Sequence, residues 1–158
     1  MDKLILGEAT RALDDRYRLS LPQEMVATLA ADQGRLILAK ERPGCLSLWD
    51  EVAWKARLEE GVGLVEKKIL ARRLDGRLDE VQRLGRLLST RHTDVQLAGR
   101  GRLVVPEGFR EFLGVEPGGN VMVVGAAVCV EIWHPDKWQQ YVGEQMPAFR
   151  ELLERLVG

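Results

Sequence analysis

Four arginines, arranged as two pairs with the same spacing, are the residues of this chain best suited to binding chemistry. Arg16 and Arg18 precede an apolar run near the N-terminus, and Arg100 and Arg102 precede a second such run. A guanidinium group donates hydrogen bonds in a planar fork, so it can contact guanine O6 and N7 or clamp a phosphate. Alternate spacing directs both side chains of a pair to one side. The two pairs therefore predict a nucleic-acid-binding surface.

The chain contains an internal duplication that includes these arginines. A shift of 84 residues aligns residues 13–54 with residues 97–138 without a gap, and ten of the 42 aligned positions are identical. A small unit that buries little surface alone is expected to share a core with its copy. The identical pairs are Leu13/Leu97, Arg16/Arg100, Arg18/Arg102, Leu19/Leu103, Pro22/Pro106, Leu29/Leu113, Gly34/Gly118, Cys45/Cys129, Trp49/Trp133 and Trp54/Trp138.

The surroundings of the arginine pairs leave two interpretations. Asp14 and Asp15 lie beside the first pair and could neutralise it, which would make the arginines ordinary solvated surface residues. Two of the ten identities are nevertheless loop arginines, whereas most of the others are residue types of a core. Arginines kept on the surface of both diverged copies favour binding. Two loops in one chain would also raise affinity through effective concentration.

Each copy is predicted to fold as a strand, a short helix and a β-hairpin. An apolar run ends at Pro22 in the first copy and at Pro106 in the second, and proline suits the first turn of a helix. A glycine then marks the turn out of each helix, and a helical turn holding a tryptophan follows each hairpin. The predicted helices are residues 23–30 and 107–113, the turns are at Gly34 and Gly118, and the hairpin strands are residues 36–39, 45–49, 121–124 and 128–133.

Further helices are predicted between the copies and at the C-terminus. Apolar residues recur near helical spacing across residues 56–89, and Gly76 is expected to divide that segment. Residues 147–157 place four large apolar residues on one face. Arginines between the copies alternate with acids, which predicts a salt-bridged helix surface. Both segments are expected to pack on the core or on a neighbouring subunit, and the short C-terminal helix on its own β-module.

Composition is that of a folded protein. The chain has 158 residues and a net charge of −1, which argues against a surface basic all over. Nucleic-acid binding depends on local patches of basic residues, so this balance does not exclude it. The N-terminus lacks the pattern of a signal peptide, and no apolar run approaches the roughly 18 residues of a membrane span. We expect a cytoplasmic protein with no membrane partner.

Residue patterns for catalysis or metal binding are weak. His92 and His134 lack metal-ligand spacing, and Cys45 and Cys129 lie in apolar, strand-like runs. Buried free thiols are therefore expected rather than a disulfide or a reactive thiolate. The glycines around Arg100 are not followed by the Lys-Ser/Thr pair of a phosphate-binding loop. We expect no enzyme activity, no metal, no cofactor and no small-molecule substrate.

Several segments together resemble the MraZ family of bacterial regulators. Residues 7–8 are Gly-Glu, residues 13–22 are Leu-Asp-Asp-Arg-Tyr-Arg-Leu-Ser-Leu-Pro, and residues 43–49 are Pro-Gly-Cys-Leu-Ser-Leu-Trp. The gapless duplication and the ending of the second copy, Val-Glu-Ile-Trp at residues 130–133, are similar to that family as well. The resemblance covers roughly residues 4–60 and 90–142.

This resemblance implies a fold and a function. The implied fold is α+β and β-rich, with two tandem AbrB-like swapped-hairpin modules that form a pseudo-twofold barrel. The implied protein binds double-stranded promoter DNA and assembles into a ring-like homo-oligomer. It regulates the division and cell-wall gene cluster and its own promoter, usually as a repressor, which implies a nucleoid location. Arg16, Arg18, Arg100 and Arg102 would contact the DNA.

The family marker in each copy is an aspartate followed four residues later by an arginine. The first copy keeps it as Asp14 and Arg18, whereas the second copy has Ala98 in the place of the aspartate. The glycine expected before the arginine is present as Gly101 but is Tyr17 in the first copy. Asp14 either orients Arg18 through a charge-assisted hydrogen bond or caps the turn. We therefore expect the two copies to contribute unequally.

The predicted organisation has four parts, and one other function is compatible with it. The parts are a first module at residues 1–60, a helical linker at 61–89, a second module at 90–143 and a C-terminal amphipathic helix at 144–158. Swapped-hairpin modules also serve as dimerisation platforms, for instance in antitoxins. The alternative is therefore an interaction or ring-assembly scaffold that does not bind DNA. A salt-dependent DNA titration distinguishes the two functions.

Overall fold

A computed structural model describes residues 3–29 and 35–158 of the chain. It contains strands and helices in the predicted order, with one further strand ahead of each arginine pair. The strands are β1 (Glu8–Ala12), β2 (Arg18–Ser20), β3 (Leu36–Arg42), β4 (Cys45–Asp50), β5 (His92–Val95), β6 (Arg102–Val104), β7 (Asn120–Gly125) and β8 (Val130–Trp133). The helices are α1 (Gln23–Leu29), α2 (Glu51–Leu70), α3 (Leu78–Arg91), α4 (Glu107–Leu113), α5 (Pro135–Gln145) and α6 (Phe149–Val157).

Local sequence explains where several helices begin and end. The carboxylate of Asp50 accepts a hydrogen bond from the N–H of Ala53 and caps α2. At the equivalent place in the second copy, His134 Nδ1 accepts from the N–H of Asp136, and proline occupies the first turn of α5. Gly114, with a φ of 76°, ends α4 in the left-handed conformation. Ala30 and Gly34, predicted at the end of the first helix, lie outside the described residues.

The strands form a six-stranded antiparallel sheet and a separate two-stranded ribbon. The sheet has the order β1-β7-β8-β4-β3-β5, and the ribbon pairs β2 with β6. Each copy contributes a hairpin, β3–β4 or β7–β8, and the two hairpins meet through β4 and β8. The sequence predicted these hairpins but did not predict β1 or β5.

Strands β1 and β5 each pair with a strand of the other copy. β1, from the first copy, pairs with β7 of the second, and β5 pairs with β3 of the first. The register is symmetric, because Leu19 lies opposite Leu103 in the ribbon and Ser47 lies opposite Glu131 in the sheet. Both pairs join positions 84 residues apart, so these two positions lie on the pseudo-twofold axis of the repeat.

Both faces of the sheet are covered. One face holds the main core, which α1, α4 and the buried side of the ribbon close with residues such as Met25, Phe109 and Leu103. The other face is covered at one end by Trp54 of α2 and at the other end by Trp138 of α5. Alternation along β4 and β8 produces this arrangement, since successive side chains point to opposite faces.

A closed barrel, expected from the family resemblance, is not found. Within the part of the chain that the structure describes, the strands make an open sheet whose edges are β1 and β5, and the ribbon stays a separate sheet. The fold is therefore α+β with a large antiparallel sheet. The ribbon packs over the sheet through Leu19 and Leu103 instead of joining its hydrogen bonding.

The helices outside the two copies are divided as predicted but pack less than expected. The linker consists of α2 and α3, with Arg72 at a φ of 58° and a 3-10 turn at Asp75–Arg77 between them. Most of α3 is exposed, including Leu78 and Leu87. The C-terminal segment is α5, a short 3-10 turn and α6, and every residue of α6 is exposed. The expectation that the terminal helix packs on its own β-module is wrong in this single chain.

Both cysteines are free and buried, as the sequence predicted. Burial raises the pKa of both thiols, that of Cys129 to about 12, and the nearby Glu131 adds to the effect. A thiol with so high a pKa stays protonated near neutral pH and is a poor nucleophile.

Candidate nucleic-acid interface

The first loop, residues 14–18, is closed by the side chain of Asp14. One carboxylate oxygen, Oδ1, accepts from the main-chain N–H groups of Arg16 (2.8 Å) and Arg18 (2.9 Å). The other, Oδ2, accepts from Arg18 Nε at 2.7 Å. Asp14 therefore caps the turn and also orients the guanidinium, so both roles considered from the sequence are present together.

The second loop, residues 98–102, closes through its main chain. Ala98 has no polar side chain, and its carbonyl accepts from the N–H of Arg102 while its own N–H donates to the Arg102 carbonyl, both at 2.9 Å. Gly99 and Gly101 have φ angles of 49° and 81°. Glycine adopts these left-handed angles without strain, so the loop turns tightly without a side-chain cap.

The two loops are held side by side by hydrogen bonds between the copies. The carbonyl of Tyr17 accepts from the N–H of Val105, and the carbonyl of Gly101 accepts from the N–H of Leu21, each at 2.9 Å. Tyr17 has a φ of 60° and occupies the position equivalent to Gly101. Both loops thus bend at the same left-handed position, which glycine adopts without strain.

The ribbon presents its polar side outward. Because Leu19 and Leu103 point into the core, the alternating neighbours Arg18, Ser20 and Arg102 must face away from it. These three side chains and Arg100 line an open surface groove of about 580 Å³ together with Asp14. The groove therefore has three guanidinium groups against one carboxylate, an excess of positive charge suited to an anionic partner.

The structure brings three of the four predicted arginines to this groove. Arg18, Arg100 and Arg102 line it, whereas Arg16 is exposed on the first loop outside the lining. Among residues 3–29 and 35–158, Arg18 has an acidic partner within 4.0 Å, and the other three loop arginines have none. Most of the guanidinium groups are therefore available to a ligand.

The pKa of the Asp14 carboxyl is lowered, chiefly because the main-chain N–H of Arg18 donates to it. The Arg18 side chain and the N–H of Arg16 add to this effect, while partial desolvation opposes it. Asp14 is consequently ionised at neutral pH and keeps Arg18 in place.

Two residues that contact the loops were not identified from the sequence. Gln23, the first residue of α1, donates from Nε2 to the carbonyl of Arg100 at 2.9 Å. Arg110 of α4 lies with Cζ 4.1 Å from the centre of the Tyr17 ring and donates from Nε to the carbonyl of Val105. Neither has a motif in its own segment, since the partner of each lies in the other copy.

The arginines of the linker are less neutralised than the sequence suggested. Arg77 pairs with Glu80, and Arg91 lies 3.8 Å from Glu41. The remaining linker arginines form no ion pair with any residue that the structure describes. They are spread along two largely exposed helices rather than gathered in one groove. The predicted salt-bridged surface is therefore only partly present.

Residues 3–29 and 35–158 contain no cluster of three or more His, Cys, Asp or Glu side chains placed to hold a metal ion. None of the helices in those ranges combines the length and apolar character needed to cross a membrane.

The fold and the groove together define a class of protein. It is a small α+β protein whose two copies exchange strands and present a pair of arginine loops over an antiparallel sheet. Known proteins with a similar sequence show which family within this class the chain resembles. A family model described as "MraZ protein, putative antitoxin-like" matches residues 89–158.

Relatives similar to this chain extend over nearly its whole length. Transcriptional regulator MraZ of Heliobacterium modesticaldum is 28% identical over 154 residues, which cover 98% of this chain and 97% of that protein. The regulator of the same name from Nitrosospira multiformis is 29% identical, covering 92% of this chain and 90% of its own. That of Thioalkalivibrio sulfidiphilus is also 29% identical, with coverages of 84% and 81%. The chain is therefore similar to members of the MraZ family over nearly its whole length.

Proposed function

We propose that this chain is a transcription regulator that binds double-stranded DNA through its two arginine loops. The observation that carries the proposal is the groove on the ribbon, where loops 84 residues apart place Arg18, Arg100 and Arg102 together. Arg16, exposed on the first loop, extends the same surface. The relatives are named transcriptional regulators, which supports this function and gives no support to an enzyme.

The arrangement supports different tasks for the arginines. Arg18 is held by Asp14 in one orientation, and a fixed guanidinium is suited to a defined bidentate contact such as one with guanine. Among the residues that the structure describes, Arg100 and Arg102 have no acidic partner. Gly99 and Gly101 allow the main chain to approach a phosphate closely. In this proposal the first loop contributes more to specificity and the second more to phosphate contacts.

The finer function that we propose rests on the family resemblance. The protein represses its own promoter and the division and cell-wall gene cluster, and it acts at the nucleoid in the cytoplasm. The two copies constitute a pair of AbrB-like swapped-hairpin modules, at residues 1–60 and 90–143. The exchange of β1 and β5 between copies supports this description of the modules. A promoter-reporter assay with and without the protein tests the sign of regulation.

We also propose that several chains associate into a ring-like homo-oligomer. Support comes from apolar side chains left exposed on the C-terminal helix at residues 144–158 and on the linker at residues 61–89, since contiguous exposed apolar surface commonly marks an interface. Phe149 and Leu156 are 59% and 77% exposed. Light scattering after size exclusion would measure the number of chains, and a monomer at micromolar concentration would contradict this proposal.

Fluorescence anisotropy with the chain's own upstream promoter fragment tests DNA binding. We expect the native protein to prefer this fragment to a scrambled one and to lose affinity steeply as salt rises. Arg18→Ala and Arg102→Ala should each weaken binding by about 1–3 kcal/mol, the range for one good arginine contact. If Arg102 contacts phosphate, its variant should also reduce the salt slope by about one.

The control for charge is Arg86→Ala, which removes one exposed arginine of α3, away from the groove. This variant should bind as the native protein does. Equal losses from all three variants would mean that only net charge matters. If the native protein does not bind DNA even at low salt, the scaffold function becomes the better explanation of the fold.

A further inference from the structure

The two loops differ in how their main chains are held. In the first loop, the Asp14 carboxylate fixes the N–H groups of Arg16 and Arg18 from within the loop. In the second loop, Ala98 cannot provide such a contact. The main-chain pair between Ala98 and Arg102 closes the ends of that loop. Its central residues, at positions 99–101, have no internal side-chain support.

Gln23 provides that support from outside the second loop. Its side-chain amide donates to the carbonyl of Arg100 at 2.9 Å, across 77 positions of sequence. Val26, three residues further along the same helix, also contacts this loop. It packs against Gly101 so closely that a Cβ on this glycine would lie 2.8 Å from Val26 Cγ2. Helix α1 of the first copy therefore supports the second loop through these two contacts.

The equivalent position of the other copy shows why the first loop has no matching contact among the described residues. Glu107 is the counterpart of Gln23 under the 84-residue shift, and an ionised carboxylate has no proton to donate to a carbonyl. The first loop, which faces the helix of Glu107, does not need such a donor, because Asp14 already closes it from within. The second loop has no internal aspartate, and it is the loop that faces a helix with a side-chain amide, that of Gln23.

The contact between a loop residue and the facing helix also differs between the two copies. Tyr17 faces Arg110, whereas their counterparts Gly101 and Val26 face each other. The small residue meets a branched apolar side chain, and the aromatic ring meets a guanidinium. Each loop is therefore fitted to the helix of the opposite copy rather than to its own.

We propose that Gln23 is a positioning residue for DNA binding, which holds Arg100 and Arg102 in place of the missing aspartate. This inference rests on the proposed DNA-binding function. The side chain of Gln23 acts through the main chain of the second loop rather than by contact with DNA. Loss of its amide leaves the fold intact but allows residues 99–101 to move, so the two arginines meet the phosphates less often in a favourable geometry.

The test compares Gln23→Met, which keeps the length of the side chain but removes the donor, with Gln139→Met, the same change on an exposed part of α5. We expect Gln23→Met to weaken binding to the promoter fragment about three- to tenfold, the effect of one hydrogen bond. Amide hydrogen exchange should become faster at Leu21, Ala98 and Arg102, whose N–H groups donate to carbonyls of the second loop, and remain unchanged in β3 and β4. Gln139→Met should change neither measurement.

Rescue separates positioning from direct contact. Ala98→Asn introduces a neutral acceptor that can close the second loop from within, as Asp14 closes the first. Added to Gln23→Met, it should restore both the affinity and the slow exchange.

Each other outcome has a definite meaning. A native affinity in Gln23→Met overturns the inference and leaves the proposed function standing. A loss that Ala98→Asn does not restore also overturns it, since Gln23 would then touch the DNA itself. If the native protein binds no DNA, the proposed function fails, and this inference fails with it.

Discussion

The aspartate of the first loop combines a turn cap with an ion pair in one side chain. Its Oδ1 holds two main-chain N–H groups and its Oδ2 holds Arg18. A carboxylate that accepts several N–H bonds favours its charged form, which lowers its pKa. The hydrogen bond from the main-chain N–H of residue 18 is the largest single cause of the lowered pKa of Asp14.

We therefore expect Arg18→Met to leave the pKa of Asp14 below its usual value of 3.8. The N–H groups of residues 16 and 18 still donate to the carboxylate in this variant. A carboxyl-carbon NMR titration of the native and variant proteins measures the pKa directly. A pKa at or above 3.8 in the variant would show that the guanidinium, not the main chain, lowers the pKa of Asp14.

The same shift sets how stability depends on pH. Because the pKa is lower in the folded state, Asp14 contributes stability that is complete above the unfolded value of 3.8. This contribution decreases as the pH falls through the lower folded-state value. The stability difference between the native protein and Asp14→Ala should accordingly be constant near neutral pH and shrink in acid.

At the scale of elements, the helices α2 and α5 occupy equivalent places but cover the sheet unequally. Trp54 of α2 is 5% exposed and packs between Trp49 and His92 with tilted rings, whose centres are 5.8 and 5.2 Å away. Trp138 of α5 is only half-buried and packs on Trp133 at 5.3 Å. The first copy therefore buries more aromatic surface at this contact than the second.

We expect Trp54→Ala to lower the free energy of unfolding by about 3–5 kcal/mol, the usual loss for a large buried aromatic residue. Trp138→Ala, at the equivalent position, should cost less, roughly 2 kcal/mol, because part of its ring is already solvated. Urea unfolding of both variants measures the difference. Equal losses would mean that the two helices anchor to the sheet equally.

At the scale of the whole molecule, the main pairings cross from one copy to the other. β1 lies on β7, β5 on β3, β4 on β8 and β2 on β6. Among the strands of the described residues, pairing within one copy is limited to the hairpins β3–β4 and β7–β8. An isolated hairpin is marginally stable at best in water, so neither copy has a stable sheet alone.

We expect the chain to stay folded when it is cut within the linker. A protease site inserted between Arg73 and Leu74, outside the strands and between α2 and α3, should yield two fragments that elute together and keep the circular dichroism of the uncut protein. Each half produced separately should be unfolded as a monomer, gaining structure only by pairing with another half. A folded, monomeric half would contradict the importance of the exchanged strands.

The sequence by itself determined the repeat, the order of its elements and the residues of the arginine loops. These features depend on local patterns: apolar alternation gives the hairpins, proline and glycine bound the helices, and α4 has the bounds that its pattern predicted. The buried, free state of Cys45 and Cys129 also followed from their apolar neighbours. Local periodicity is sufficient for each of these, because each needs only nearby residues.

Only the tertiary structure decided how the copies are joined. Strands β1 and β5 are short and partly polar, and their partners lie in the other copy, so no local pattern marks them as strands. Two side-chain contacts likewise join distant positions: the hydrogen bond from Gln23 to the carbonyl of Arg100, and the contact of Arg110 with Tyr17. Contacts of this kind depend on how the two folded copies pack together. The spacing of residues along the chain does not specify that packing.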